Sequence, residues 1–311
     1  MKFAIRVFLI SFFISLPVWY GINLFQENLE KFFYAQISQP LREMNFVKIP
    51  EKPQKPNLDL QTRTAISVKI NKFGGERILF RKKISQPFPI ASLTKLTTAL
   101  IVLEDKNYDL ENGEIAISQT AANQENVPTN YGNLDLEMGK KFKVKDLLDL
   151  MLVYSSNDVA YALSEVIKVD QFVLKMNQKA KELGLENTHF INPTGLDPDG
   201  LHYDPVNLPY FNYSSAEDLV KISQYILKEH PLIFEISLQK PISLVKDGIF
   251  DLFLTQEVIG GKTGYTDEAG GCILFIFKNE NGSIFINVIL GAPSSAARIE
   301  EMQKLINWIE N

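Results

Sequence analysis

Apolar and polar residues alternate in several short stretches of the chain beyond about residue 60. "TRTAISVKI" and "RILFRKK" predict two strands, and "NKFGGE" between them predicts a turn. Three further strands are predicted near the other end of the chain, at "GIFDLFLTQEV", "GCILFIFK" and "IFINVILGA". The last two are separated by "NENG", which is typical of a hairpin turn. Strands are therefore expected at both ends of this region.

The middle of the chain instead shows apolar residues spaced three and four apart, which is typical of buried helices. One helix is predicted to open at Ser92 and to run to about residue 106, before a largely helical region at about 107–245. Gly184 is suited to end one helix there, and Ser214 or Ser215 to cap the next. A final helix is predicted over "SSAARIEEMQKLINWIEN". We therefore predict an α+β fold, with one antiparallel sheet built from both ends, flanking helices and a helical insertion.

The N-terminal region has a different pattern. Residues 7–26 carry no charge, while Lys2 and Arg6 precede them. As a helix this stretch would span about 30 Å, the thickness of a bilayer core, and the basic flank favours a cytoplasmic N-terminus. We therefore predict a transmembrane anchor, with a cleaved signal peptide as the alternative. The predicted organisation is an anchor or signal segment at 1–26, an extracytoplasmic linker at 27–58 and one domain at 59–311.

Composition and charge exclude several classes of function. The net charge of −5 provides no basic surface for nucleic acid. A single cysteine, Cys272, excludes an intrachain disulfide, and its apolar neighbours predict a buried strand position. The three histidines are scattered without the spacing of metal ligands, so neither a metal site nor a cofactor is expected.

The first candidate site is the stretch "ASLTKLTTAL". Ser92 and Lys95 are three residues apart, so on a helix they lie on one face within side-chain reach. A neutral lysine amine can take the proton of a hydroxyl if burial or another cation lowers the pKa of the lysine. The helix N-terminus would also favour a developing anion. The alternative is a serine N-cap followed by a surface lysine.

Two other short motifs carry candidate chemistry. In "YSSNDVAYAL", Ser155 and Asn157 lie where one predicted helix ends and another begins, so both can face a cleft. A plain cap is the alternative, and Asp158 is expected to cap the second helix. In "GGKTGYTDEAGGC", Lys262 would supply a fixed positive charge and Thr263 a hydroxyl for a carboxylate, at the end of a predicted strand.

Together, in this order, the three motifs match the S-x-x-K, S-D-N and K-T-G set of penicillin-binding proteins and β-lactamases, with Ser156 at the centre of the second motif. The chain resembles the serine D-Ala-D-Ala carboxypeptidases, the low-molecular-mass penicillin-binding proteins, over about residues 60–311. The strings "FINPTGLD" and "VILGAPSSAAR" are part of the resemblance. The resemblance implies the penicillin-binding protein/β-lactamase-like fold, an antiparallel sheet between helical layers with a helical subdomain. This agrees with the assembly predicted from the strand positions.

The resemblance also implies catalytic roles. Ser92 would be acylated by the penultimate D-Ala carbonyl, and Lys95 would be the general base. Ser155 and Asn157 would relay a proton to the leaving amine and hold the substrate amide. Lys262 would help to keep Lys95 neutral by charge repulsion and would help to bind substrate.

Further residues are implied to bind the substrate. Thr263 would meet its terminal carboxylate, and Gly264 would allow close approach of the backbone. The backbone N–H groups of Ser92 and Tyr265 would form the oxyanion hole. Arg298 would bind the carboxylate, although a surface arginine is the alternative at that position.

The sequence departs from the family pattern in three places. In the middle motif, Ser156 stands where glycine or alanine is more usual, and valine follows Asp158 where alanine is more usual. The chain is lengthened over about residues 203–212, which would be either a lid or a surface loop. The family's C-terminal β-domain and anchor helix have no counterpart after the last predicted strand, so an N-terminal anchor is expected to replace the latter.

We therefore predict a membrane-anchored DD-carboxypeptidase that removes the terminal D-Ala from peptidoglycan stem peptides and is inhibited by β-lactams. It is expected to be a monomer on the extracytoplasmic face. A DD-endopeptidase with the same site and a slow-turnover penicillin-binding sensor are the alternatives. A β-lactamase would need a Glu-x-x-x-Asn pattern after the middle motif, which "ELGLEN" does not supply.

Overall fold

The structure is a computed structural model that describes residues 2–37, 57–125, 138–238 and 257–310. The chain divides into two compact units, Met1–Lys55 and Pro56–Asn311.

The first unit contains one long helix, α1, over Lys2–Ile37. This helix continues past residue 26 into the predicted linker, of which residues 38–56 lie outside the described part. Among the described residues, no helix combines the length and the apolar character needed to cross a membrane. The predicted transmembrane helix over residues 7–26 is therefore not supported.

The second unit is built on a five-stranded sheet in which every neighbouring pair is antiparallel, in the order β2-β1-β9-β8-β7. The described strands are β1 Thr64–Ile70, β2 Glu76–Lys82, β3 Phe88–Pro89, β4 Glu114–Ala116, β5 Lys141–Lys143, β6 Tyr213–Ser214, β7 Glu257–Thr266, β8 Gly270–Lys278 and β9 Ile284–Ala292. Because β1 pairs with β9, the sheet joins strands from both ends of the unit, which confirms the predicted assembly.

Helices cover both faces of this sheet. Six consecutive residues of β9 are buried, and successive side chains of a strand point to opposite faces, so both faces must be covered. Helices α7 and α9 contact β9. The described helices after α1 are α2 Thr94–Glu104, α3 Gln119–Ala122, α4 Val144–Val153, α5 Asn157–Glu165, α6 Val169–Glu182, α7 Ala216–Glu229, α8 Leu232–Ser237 and α9 Ala297–Glu310.

Several predicted boundaries are confirmed. Ser215 caps α7 by accepting a hydrogen bond from the Asp218 N–H. Gly184 follows α6 with a φ of +65°, the left-handed conformation that favours glycine after a helix. Cys272 is buried in β8.

The region predicted to be largely helical contains α3 to α8 among its described residues, together with the short paired strands β4 and β5. Two other expectations were wrong. The K-T-G motif lies inside β7 rather than at the end of a strand. The cap of α5 is Ser156, which accepts from the Val159 N–H, whereas Asp158 lies inside the first turn. The predicted strand at 248–258 falls mostly outside the described residues.

Candidate active site

The candidate nucleophile lies on a tight turn that leads directly into α2. Residues Ala91–Leu93 form one turn of 3₁₀ helix, and α2 begins at Thr94. Ala91 has a φ of +47°, a left-handed conformation that is rare for a residue with a side chain. Ser92 Oγ lies 3.0 Å from Lys95 Nζ, so the two side chains are in hydrogen-bonding contact as the spacing predicted.

Lys95 is fully buried, and its amine has two other close neighbours. Its Nζ lies 2.6 Å from Asn157 Oδ1 and 2.6 Å from the Thr194 carbonyl oxygen. Both oxygens can only accept hydrogen bonds. A neutral amine has two N–H groups for these acceptors, which leaves its lone pair for the proton of Ser92.

The electrostatic environment favours this neutral form. Burial of the amine is the main cause that holds the pKa of Lys95 well below its usual value, and the charge of Lys262 lowers it further. The charge of Lys262 was predicted to help to keep Lys95 neutral, and it does lower the pKa of Lys95. Removal of the amine from water is the larger of the two effects.

The α4–α5 junction brings the second motif into the same cleft. Ser155 has a φ of +60°, and this reversal of the chain allows α5 to begin at Asn157. Asn157 Nδ2 donates to the Glu125 carbonyl at 2.5 Å, which orients Oδ1 toward Lys95. Ser155 Oγ accepts from Lys262 Nζ at 2.9 Å, and it thereby links this junction to β7.

Lys262 is buried within β7 and also donates to the Thr263 carbonyl at 2.9 Å. Burial, with a contribution from the charge of Arg298, lowers the pKa of Lys262 to about 7. The positive charge predicted for Lys262 is therefore disfavoured by its burial.

Gly264 allows β7 to approach the nucleophile closely. A Cβ atom at this position would lie 2.9 Å from the Ser92 backbone nitrogen and 3.1 Å from the Ala91 Cβ. Tyr265 is the next residue of the strand, and its side chain is exposed. The oxyanion hole formed by the N–H groups of Ser92 and Tyr265 stays a prediction.

Arg298 lies in the first turn of α9 and is 8% exposed, so it is not a surface arginine. Its Nη1 donates to the Gly264 carbonyl at 2.9 Å. The guanidinium therefore supports the strand that carries Lys262 and Thr263. The predicted contact between Arg298 and a substrate carboxylate stays a prediction.

A family model for D-alanyl-D-alanine carboxypeptidases, peptidase family S11, matches residues 49–294, well over half of the chain. The chain belongs to this family.

Individual relatives agree with this assignment. The chain is 32% identical to the D-alanyl-D-alanine carboxypeptidase DacF of Bacillus subtilis strain 168, over 75% of this chain and 58% of the relative. It is also 32% identical to a D-alanyl-D-alanine endopeptidase of Haemophilus influenzae, over 68% of this chain and 70% of the relative. The chain thus spans little more than half the length of the first of these relatives.

The fold has a solved counterpart in penicillin-binding protein D2 from Listeria monocytogenes, determined in its cefotaxime-bound form. That structure is 28% identical, has a TM-score of 0.66 and is matched over 82% of this chain and 100% of its own. The predicted penicillin-binding-protein fold is therefore confirmed for the catalytic part of this S11 family member.

Sequence reasoning missed one component of the S11 site, the Thr194 carbonyl. It lies in the turn 191–196, where Asn192 Oδ1 accepts from the backbone N–H groups of Thr194 and Gly195 at 3.1 and 2.7 Å. The turn-forming residues of "FINPTGLD" indicated a turn, but a backbone carbonyl is present at every residue. Only the folded chain shows that this one faces Lys95.

The lengthened segment at 203–212 packs onto the domain. The ring of Tyr203 makes edge contacts with Phe88 and Phe211, at centroid distances of 4.8 and 6.0 Å. Its backbone N–H donates to Glu268 Oε2 at 2.6 Å.

A pocket of about 410 Å³ lies beside the S11 site and is lined by Glu125, Asn157, Leu196, Asp197, Pro198, Asp199, Gly200, Leu201, His202, Tyr265, Thr266, Asp267 and Glu268.

The lowered pKa of Lys262 predicts a pH dependence of stability in this S11 family member. Between its folded value of about 7 and its ordinary value of 10.5, the unfolded chain holds the proton that the folded chain has lost. The free energy of unfolding should therefore rise with pH across this window, by up to about 1.4 kcal/mol per pH unit for one proton. Denaturant unfolding of Lys262→Met should show a smaller slope than wild type. The exposed Lys181→Met is the matched control, and an equal slope in both variants would contradict the prediction.

Proposed function

We propose that the chain is a serine-type D-alanyl-D-alanine carboxypeptidase that removes the terminal D-Ala from peptidoglycan stem peptides and is inhibited by β-lactams. The observation that carries the proposal is the contact of Ser92 Oγ, at 3.0 Å, with a buried lysine amine whose other two neighbours only accept hydrogen bonds. Of the three groups hydrogen-bonded to this amine, only the Ser92 hydroxyl carries a proton that it can give up.

In the proposed acylation, Ser92 Oγ attacks the carbonyl carbon of the penultimate D-Ala and gives its proton to Lys95 Nζ. The new C–O ester bond forms as the C–N bond to the terminal D-Ala breaks. Ser155 Oγ donates a proton to the departing amine and is resupplied by Lys262, whose Nζ lies 2.9 Å away. A pKa of about 7 suits Lys262 to this exchange, because a proton donor works best near the operating pH. Water then hydrolyses the ester: its hydroxyl forms the new carboxyl group and its hydrogen returns to Ser92 Oγ. Lys95 releases the proton it holds to solvent, and Lys262 regains one, which restores the site.

The sheet offers a place for the peptide. Among the described strands, β7 lies at the edge of the sheet next to the Ser92 turn. An extended peptide can pair with the free edge of a strand through main-chain hydrogen bonds. In that position the terminal carboxylate would meet Thr263 and Lys262, and the scissile carbonyl would lie over Ser92.

The role of Arg298 provides one prediction. If its charge attracts the substrate carboxylate, Arg298→Ala should lower kcat/KM for a D-Ala-D-Ala peptide by about tenfold or more, since charged hydrogen bonds contribute about 1.5–3 kcal/mol. Acylation by an activated ester that lacks the carboxylate should fall much less. Both rates should be measured with the thermal unfolding midpoint, because Arg298 also bonds the Gly264 carbonyl. An equal loss for both compounds would assign Arg298 a purely structural role.

A DD-endopeptidase is the second candidate, favoured by one observation. The endopeptidase relative from Haemophilus influenzae is matched over 70% of its length, against 58% for the Bacillus subtilis carboxypeptidase. Cleavage of a cross-linked peptide dimer, compared with release of D-Ala from a monomeric pentapeptide, would separate the two activities.

The deciding experiment combines turnover with labelling. Wild-type protein should release D-Ala from a synthetic peptide ending in D-Ala-D-Ala, and mass spectrometry after incubation with penicillin should locate one adduct on Ser92. Ser92→Ala should lose both properties. An adduct without D-Ala release would indicate a penicillin-binding sensor, and the absence of both in wild type would refute the proposal.

The second unit, Pro56–Asn311, carries the candidate site and is called the catalytic unit below. We also propose that it works as a monomer on the extracytoplasmic face. One copy of the chain brings Ser92, Lys95, Ser155, Asn157 and Lys262 together, which supports a monomer. The basic residues Lys2 and Arg6, followed by the uncharged stretch 7–26, have the pattern of a secretory signal segment, which supports export. Protease added to intact spheroplasts should digest the catalytic unit while a cytoplasmic marker survives. Protection of the unit under the same conditions would contradict this location.

A further inference from the structure

The Thr194 carbonyl is one of the two acceptors that orient the Lys95 amine, so its position matters for catalysis. Thr194 is 2% exposed, and its own side chain is held within the 191–196 turn by Asn192 Oδ1 at 3.0 Å. Gly195 has a φ of +85° and brings the turn against the Ala91 carbonyl, where a Cβ atom would lie 2.0 Å away. The turn is therefore packed directly onto the segment that carries the nucleophile.

Asn212, at the end of the lengthened segment, ties this turn to α2. The side chain is 4% exposed, and its Oδ1 accepts from the N–H groups of Ile191 and Asn192 at 2.7 and 3.1 Å. Its Nδ2 donates to the Asn192 carbonyl at 2.9 Å and to Thr94 Oγ1 at 3.1 Å. Because Thr94 directly precedes Lys95, one amide is bonded both to the turn that bears the acceptor and to the helix that bears the base.

The backbone of Asn212 adds a third connection. Its carbonyl accepts from the Ile90 N–H at 3.1 Å, two residues before Ser92. Asn212 is thus bonded to the segment that leads to Ser92, to helix α2, which carries Lys95, and to the 191–196 turn, which carries the Thr194 carbonyl.

We propose that Asn212 is a positioning residue for the general base. By holding the 191–196 turn on α2, it keeps the Thr194 carbonyl on one N–H of neutral Lys95, so that the lone pair of the amine points at Ser92 Oγ. This inference rests on the proposed function. It gives the last residue of the lengthened segment 203–212 a role in orienting Lys95, whereas the sequence predicted either a lid or a surface loop there.

The protonation state of the Lys95 amine should respond to a new charge at position 212, because few charged groups act on it among the described residues. Lys262 of β7 is the charged group that acts on the amine, whereas the contacts from α5 and from the turn are the uncharged Asn157 and Thr194. A carboxylate introduced at position 212 would add a negative charge beside the turn. It would favour protonated Lys95 and would also remove the donor to Thr94.

The test compares Asn212→Asp with Asn177→Asp. Asn177 is partly buried and makes a similar pair of contacts: its Oδ1 accepts from the Phe190 N–H and its Nδ2 donates to the Phe190 carbonyl, so these bonds do not involve the turn 191–196. Penicillin acylation rates should be measured from pH 5 to 10 together with thermal unfolding. Asn212→Asp should acylate about tenfold or more slowly at pH 7, with its rising limb moved to higher pH. Asn177→Asp should lose stability without moving that limb.

A second variant makes the test independent of the folding of Asn212→Asp. Thr94→Val keeps the shape of the side chain but removes the acceptor for Asn212 Nδ2, and it should slow acylation by about threefold or more. Wild-type rates in Thr94→Val, or an unmoved rising limb in folded Asn212→Asp, would overturn the positioning role. A wild-type protein that penicillin does not acylate would instead refute the proposed function itself.

Discussion

Lys95→Arg should abolish acylation of Ser92 almost as completely as Ser92→Ala. Arginine stays protonated in proteins, so it keeps the positive charge but cannot accept the proton of Ser92. The acceptors Asn157 Oδ1 and Thr194 O each lie 2.6 Å from the amine of this fully buried side chain, so a larger guanidinium would have to displace them. Since general-base catalysis typically contributes about 10²–10⁴ in rate, we expect a loss of at least that size.

The rate should be followed as the appearance of the penicillin adduct by mass spectrometry, with circular dichroism to verify folding. Lys175→Arg is a suitable control, because Lys175 pairs with Asp105 at 2.9 Å away from the site and an arginine can keep that contact. It should acylate at the wild-type rate. A Lys95→Arg protein that acylated Ser92 at a similar rate would show that Lys95 is not the base.

Gly195→Ala should cost both stability and activity. The φ of +85° is unfavourable for alanine, and the new Cβ atom would lie 2.0 Å from the Ala91 oxygen and 2.5 Å from its carbonyl carbon. Both are backbone atoms that cannot rotate away. Together, backbone strain and overpacking should lower the free energy of unfolding by about 3–5 kcal/mol. The displaced Ala91 would move Ser92, so acylation should fall even where the protein remains folded.

Gly184→Ala provides the matched control for Gly195→Ala. Gly184 also has a positive φ, +65°, but the ideal Cβ position has no atom within 4 Å. This variant should lose only the backbone cost, about 1–2 kcal/mol, and should acylate normally. Denaturant unfolding and penicillin labelling measure the two effects separately. Equal losses of stability in both variants would show that the 191–196 turn can move away from Ala91 and so relieve the contact with the new Cβ atom.

The sequence predicted the parts of the candidate site that depend on side-chain chemistry in a fixed order. Ser92 and Lys95 could be paired because three residues make nearly one helical turn, and the structure brings Ser155, Asn157 and Lys262 to them. The acceptor at Thr194 could not be predicted, because its function belongs to a backbone carbonyl. Its position depends on a turn held from a distant segment.

The remaining differences arise from burial and from local competition. The pKa of Lys262 depends on how completely the folded chain covers the amine, which its sequence neighbours do not determine. Helix α5 begins at Asn157, so Ser156 is its cap. Both serine and aspartate are common caps, and the sequence does not show whether Ser156 or Asp158 takes this position. Strands β4 and β5, three residues each, are too short for their alternation to be distinguished from the surrounding helical pattern.

The pairing of β1 with β9 determines when the catalytic unit can fold. Thr64 lies opposite Leu290, so the centre of the sheet closes only after nearly the whole unit has been synthesised. Until then β1 can pair with β2 alone, and a two-stranded hairpin is at best marginally stable in water. Closing so long a loop is slow, and it leaves apolar strands exposed in the meantime. The unit therefore has to remain unfolded or be protected from aggregation until β9 is available, and a chain cut before β9 cannot complete the sheet that supports Lys262.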